Sequence, residues 1–221
     1  MLSFIENIGL ILQRYGAVFA QGLWNTLWLS FVFLGTFLGI LVALGKLSRH
    51  KLLNGVVSTY IEIIRGTPIL LQLYFFWLAL PNILPSISDT TCILSALVVN
   101  ASAYIAEVIR AGIQAVDAGQ REASLSLGMT ERAIMTKVIF PQAIKNILPA
   151  LGNEVIVMIK QTSLASVFFF GELMTAYKQV QSTTFLALEP LTISGLIYLF
   201  LTVTLSRITR HFEKRMKQNE R

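Results

Sequence analysis

The chain has one cysteine, Cys92, so no disulfide within it can stand in for a packed core. Charge is also scarce: Asp, Glu, Lys and Arg make up 14% of the 221 residues, against 54% that are apolar. With a mean hydropathy of +0.65, this composition argues against a soluble domain and for a membrane protein. The two histidines, His50 and His211, sit in basic segments with no nucleophile–base constellation around them, which argues against an enzyme. The basic stretch, apolar run and cleavage site of a secretory leader are missing at the start, so none is expected. A phosphate-binding loop is missing too. Gly39, Gly45 and Lys46 come closest, but five residues separate the glycines instead of four, and Leu47 stands where Ser or Thr is required. No nucleotide site, metal or cofactor is therefore expected in the chain itself. The net charge of +6 raises nucleic acid as a partner. The cations, however, gather in short segments beside apolar runs, which is a membrane topology pattern, so no nucleic acid is expected.

What is present is a series of apolar runs. Residues 1–21 mix Glu6 and Arg14 with Phe4, Ile5, Ile8 and Leu12; they read either as an amphipathic segment on the outer membrane surface or as a frayed lead-in. The first span covers about residues 22–45 without a charge, enough to cross a hydrocarbon core of ~30 Å. Trp24 and Trp28 near its start favour the interface. Gly35, Gly39 and Ala43 form a small-residue stripe, usable within the chain or between subunits. The second region, 52–80, is interrupted by Glu62, Arg65 and Gly66-Thr67-Pro68, so a shallow helix up to about Arg65 and then a span are expected. Glu62 and Arg65 share a helix face and read as an ion pair or as substrate contacts. The third span, 90–110, carries Asn100, Ser102 and Tyr104 in its middle and Glu107 and Arg110 at its end; Asn and Ser here can bond neighbouring helices. The fourth, 142–171, contains Asn153, Glu154 and Lys160. A mid-membrane charge costs on the order of 2.5 to 3.5 kcal/mol on insertion scales, so such groups face a bundle interior or cavity. Residues 174–189 read as a polar connection, 190–206 as the fifth span, and 207–221 as a basic tail.

Basic residues set the orientation. Lys46, Arg49 and Lys51, then Arg110, Arg121, Arg132, Lys137 and Lys145, then the tail with Arg207, Arg210, Lys214, Arg215, Lys217 and Arg221 fall on one side, and only Arg14 and Lys178 on the other. Short cationic segments mark the cytoplasm, so the N-terminus is expected outside and the C-terminus inside. The central stretch Arg121–Pro141 then faces the cytoplasm. Helix formers run from Arg121 to Leu127 and from Thr130 to Lys137, with Gly128 between them to end the first helix and Thr130 to cap the second. Such a stretch is either a solvated loop or a docking surface for a partner.

This stretch resembles the EAA loop of ABC-importer permeases. Glu122-Ala123-Ser124 is followed by three residues, Gly128, nine residues and then Val138-Ile139-Phe140-Pro141; Ser124, Val138 and Phe140 depart conservatively from the Ala, Ile and Leu of that pattern. Glu62-Ile63-Ile64-Arg65-Gly66-Thr67-Pro68, Tyr104-Ile105-Ala106-Glu107, Gly112-Ile113-Gln114 and Lys160-Gln161-Thr162-Ser163-Leu164 extend the likeness to polar amino-acid permeases of the histidine, glutamine and arginine uptake class. Gln161 stands where many relatives carry Asp. The resemblance implies an all-α integral membrane protein of the bacterial cytoplasmic membrane, with five transmembrane helices in residues 22–206 and the type I ABC importer permease fold. It also implies a second permease subunit (the same chain or a similar one), cytoplasmic ATP-binding subunits that hold the ATP–Mg, and an extracytoplasmic solute-binding protein. Glu122, Ala123, Ser124, Gly128 and Pro141 carry over as coupling residues. For an amino-acid substrate, intramembrane polarity nominates Glu154 as partner of the ammonium, with Asn100 and Thr67 as hydrogen-bonding groups. An ion-coupled secondary transporter is the alternative; it would use Glu154 and Lys160, but five spans and no visible inverted repeat count against it.

Overall fold

Long apolar runs with few breakers leave the backbone one economical way to satisfy its own polar groups in lipid, and helix is what forms. The computed structural model describes residues 2–30, 32–48 and 50–218; Arg49 of the first basic segment and residues 219–221 of the tail, including Arg221, lie outside them. No strand occurs among the described residues. The helices are α1 (Leu2–Leu29), α2 (Val32–Lys46), α3 (Lys51–Gly66), α4 (Ile69–Ile83), α5 (Asp89–Gln114), α6 (Ala118–Ser126), α7 (Glu131–Ile134), α8 (Phe140–Gln161), α9 (Leu173–Thr184) and α10 (Leu188–Gln218). A π-helical turn, Met135–Ile139, joins α7 to α8, and a 3-10 stretch, Thr162–Phe168, follows α8. Among the described residues, three helical stretches are long and apolar enough to cross a membrane: Ser3–Lys46, Asp89–Gln114 and Leu188–Met216. The number rises to five if the two broken pairs, Lys51–Gly66 with Ile69–Ile83 and Glu131–Phe168 with Leu173–Thr184, each count as one span.

Two compact units divide the chain. The first comprises Met1–Val32, Ile69–Leu97 and Val155–Leu205. It has two apolar clusters, one of Ile11, Phe19, Leu173, Ala176, Val180 and Ile193, the other built on Leu29, Leu73, Ile93 and Ala165. The second comprises Phe33–Pro68, Val98–Glu154 and Ser206–Arg221, with a core at Ala43, Ile61 and Ala106. In this unit the small-residue stripe serves packing within the chain: a Cβ at Gly39 would stand 2.6 Å from the Ile105 side chain.

Three local expectations differ from what forms. The helix is continuous across residues 21 and 22, since α1 runs to Leu29. The polar connection at 174–189 is largely helix α9, whose Leu173, Ala176 and Val180 are buried at helical spacing. Glu62 and Arg65 form no ion pair with each other among the described residues; Arg65 turns to Glu107 instead, with Nη1 3.5 Å from Oε1. The break after α3 is as expected: Thr67 is extended (φ −117°, ψ 145°) ahead of Pro68.

Candidate functional site

Two places in the second unit combine chemistry with accessibility. The first is the elbow of α6 and α7. Asp117 caps α6, its carboxylate accepting from the Gly119 N–H at 2.7 Å, so the helix begins at Ala118, ahead of the expected Arg121. It ends in two nested bonds: the Gly128 N–H donates to the Leu125 carbonyl (2.9 Å) and the Met129 N–H to the Ser124 carbonyl (3.1 Å). This closure needs a left-handed residue, and Gly128 supplies it at φ +74°. The Thr130 hydroxyl caps α7 by accepting from the Ala133 N–H (3.4 Å), and an Arg121–Glu131 ion pair ties the two helices together.

The second helix does not stop at Lys137. It passes through the π turn, where the Phe140 N–H reaches back to the Met135 carbonyl, and runs on through Pro141 into α8. A proline there would press its ring on the carbonyl four residues back in a regular helix; the widened turn just before it relieves the clash. Of the expected coupling residues, Ser124 is buried and bonds the Gln120 carbonyl (2.7 Å), while Glu122, Ala123, Gly128 and Pro141 are exposed. Sequence reading missed the apolar surface beside them: Leu125, Leu127 and Met135 are all exposed, Leu127 by 82%. A rigid elbow that presents leucine to solvent is built to be covered.

The second place is a polar cleft of about 460 Å³ lined by Lys46, Ser58, Glu62, Arg65, Glu107 and Arg110 among others. Glu107 is its hub. Arg110, one helical turn on, grips both carboxylate oxygens, with Nε 2.9 Å from Oε2, and Arg65 approaches from α3 while covering the Tyr104 ring at 5.4 Å. Lys46 bonds the Ser58 hydroxyl, and Tyr60 donates to the Val99 carbonyl (3.0 Å) and meets the Ser102 hydroxyl, so Ser102 does link helices.

The three residues nominated for substrate contact lie in the same unit but do not line this cleft. Asn100 is buried within α5. Thr67 sits at the α3 break, its hydroxyl donating to the Ile63 carbonyl at 2.9 Å. Glu154 is 9% exposed and receives no hydrogen bond from a described group; the positive charge whose field reaches it is Arg65. Arg65 therefore pairs with a carboxylate 42 residues away along the chain, a choice its i,i+3 spacing to Glu62 concealed. Lys160 belongs to the first unit, exposed beside an open hollow of about 410 Å³ that Ser163, Met174 and Tyr198 also line. No His, Cys, Asp and Glu group among the described residues has a metal-binding arrangement.

Residues 35–218 match the model of the family described as "Binding-protein-dependent transport system inner membrane component". The arginine transport system permease protein ArtQ of Bacillus subtilis is 38% identical over 188 residues, covering 85% of this chain and 86% of ArtQ. The glutamine transport system permease protein GlnP of Escherichia coli K12 is 36% identical over 201 residues, covering 89% and 92%. Among solved structures, an amino acid ABC transporter with histidines superposes with a TM-score of 0.89 at 48% identity, over 93% of this chain and 97% of that one. The MetNI methionine ABC transporter in an inward-facing conformation gives 0.74 at 20% identity, over 90% and 95%, and shares the fold.

Proposed function

The chain belongs to the family of binding-protein-dependent transport system inner membrane components, and we propose that it forms the translocation path of an ATP-driven importer of polar amino acids. It is a multi-pass inner-membrane permease of the type I ABC importer fold, a transport subunit and not an enzyme, and its family works with separate ATPase and binding-protein partners. The observation that carries the finer reading is the elbow: two capped helices around a left-handed Gly128, with Leu125 and Leu127 exposed and Glu122 beside them.

Closure of two cytoplasmic ATPase subunits around their ATP–Mg presses on this elbow. The π turn makes α7 continuous with α8, so the push enters a transmembrane helix without a flexible joint. Glu122 offers a charged contact, Ala123 and Ser124 close packing, Gly128 the turn, and Pro141 the entry to the span. The elbow and the residues from 207 onward face the cytoplasm and the N-terminus lies outside, in keeping with the bias of Lys and Arg. Five spans cross the membrane, each broken pair counting as one. A second permease subunit completes the path, and an extracytoplasmic binding protein delivers the amino acid. Glu154 meets the substrate's ammonium. Its burial without a hydrogen-bond donor supports this, since a buried carboxylate with no donor gains most from an incoming cation. Asn100 and Thr67 add polar contacts.

The test is uptake of a labelled amino-acid panel by vesicles holding the chain, its ATPase and its binding protein, with Gly128→Asp as the comparison. Uptake that needs every component and ATP, and falls more than tenfold in the variant, is expected. Uptake that persists without ATP and collapses with an ionophore contradicts the reading.

A further inference from the structure

We propose that the C-terminal turns of α10 form a binding face for anionic phospholipid headgroups, with the acyl chains lying on the adjoining apolar flank. Arg207, Arg210, His211 and Lys214 recur at i, i+3, i+4 and i+7, which places them on one side of the helix. Together they line an open hollow of about 440 Å³ with no carboxylate in its wall. The contrast with the cleft around Glu107 is direct. There the guanidinium groups of Arg65 and Arg110 are held by an acid. Here, among the described residues, Arg207, Arg210 and Lys214 make no ion pair. Arg210 uses its Nε–H on the Ser206 carbonyl (3.2 Å) and keeps its other donors for a ligand. Gathered cations without an acid call for an anion, and Arg presents donors in the planar fork that suits a phosphate.

Two observations make that anion a lipid. The stretch Leu188–Met216 is apolar enough to cross a membrane, and the cationic face occupies its last turns, so it stands at headgroup depth. Next to it around the helix, Ile208 and Phe212 are 47% and 60% exposed. Phe212 also rims an almost wholly apolar groove of about 320 Å³ with Leu148, Pro149, Gly152, Thr209 and Met216. A headgroup on the cations and a chain along Phe212 use both surfaces at once, the arrangement of an amphipathic helix at a membrane interface.

The experiment uses the permease assembled with its ATPase and binding protein in nanodiscs of phosphatidylcholine with or without phosphatidylglycerol. Retained lipids are counted by native mass spectrometry. Wild type is expected to retain phosphatidylglycerol over phosphatidylcholine, more weakly as salt rises. The triple variant R207Q/R210Q/K214Q loses that preference by roughly tenfold or more, and R207K/R210K, which keeps the charge, retains most of it. A triple variant with the wild-type preference overturns the proposal, as does a preference indifferent to salt. Release of the ATPase from the triple variant with phosphatidylglycerol retention unchanged overturns it too, and makes the face a protein dock.

Discussion

Glu172 in the first unit and Glu154 in the second are both buried glutamates in a chain with little charge, and their surroundings differ completely. Glu172 is 0% exposed and saturated: it accepts from the Met174 and Thr175 N–H groups at 2.7 Å and from the Thr175 and Tyr198 hydroxyls at 3.0 Å. Around it, the Leu173 N–H donates to Thr26 (3.2 Å) and Asn25 donates to the Gly171 carbonyl (2.7 Å), so one carboxylate caps α9 and ties it to α10 in a region where α1 is also bonded. Glu154 has no such ring of donors, only the field of Arg65. A buried charge that is fully hydrogen-bonded holds a fold together, and one that is not is available to a ligand.

The strongest way to break this comparison is Glu172→Ala. It removes the acceptor of two N–H groups and the Tyr198 hydroxyl, all half-buried, at about 1 kcal/mol for each bond lost. A loss of several kcal/mol, read as a large drop in thermal midpoint and yield in detergent, is expected. A midpoint equal to wild type would remove Glu172 from the framework. A smaller effect sharpens the other side. In a double-mutant cycle of Arg65→Gln and Glu107→Gln, the coupling should be about 1 kcal/mol, because a 3.5 Å pair with Arg65 41% exposed is well screened. A coupling several times larger would mean that Arg65 is committed to Glu107 and has little left for Glu154. The smallest effect concerns helix ends. α9 stops at Phe185 in the left-handed region (φ 57°), 91% exposed, where α6 uses Gly128. Phe185→Gly relieves the side-chain strain and gives up little burial, so a gain of roughly 0.5–1 kcal/mol in stability is expected; a loss would show that Phe185 is covered in the assembled protein.

What could be read from the sequence divides along the same physical line. The elbow was legible because its chemistry is local: Gly128 and Thr130 act within a few residues of themselves, and the apolar runs of the spans need no partner to be recognised. The α3 break was legible for the same reason, at Gly66-Thr67-Pro68. The rest depends on contacts distant in sequence. Arg65 has Glu62 one turn away but pairs with Glu107, and nothing local announces that choice. Pro141 ordinarily marks a stop, and only the π turn before it lets the helix continue. The α9 segment reads as polar, although its Leu173, Ala176 and Val180 spacing carried the signal. Glu172 lies between the fourth span and that connection, and its donors come from Tyr198 on another helix as well as from its own cap, so no single stretch of sequence reveals its role.

The division between the two carboxylates is tested most directly by Glu154→Gln in the assembled transporter, with ATP-driven amino-acid uptake and thermal midpoint measured on the same preparation. The account predicts a midpoint equal to or above wild type, because a buried charge without donors is removed, together with a fall in uptake of more than tenfold. A protein that unfolds like Glu172→Ala, or one that transports at the wild-type rate, would contradict it.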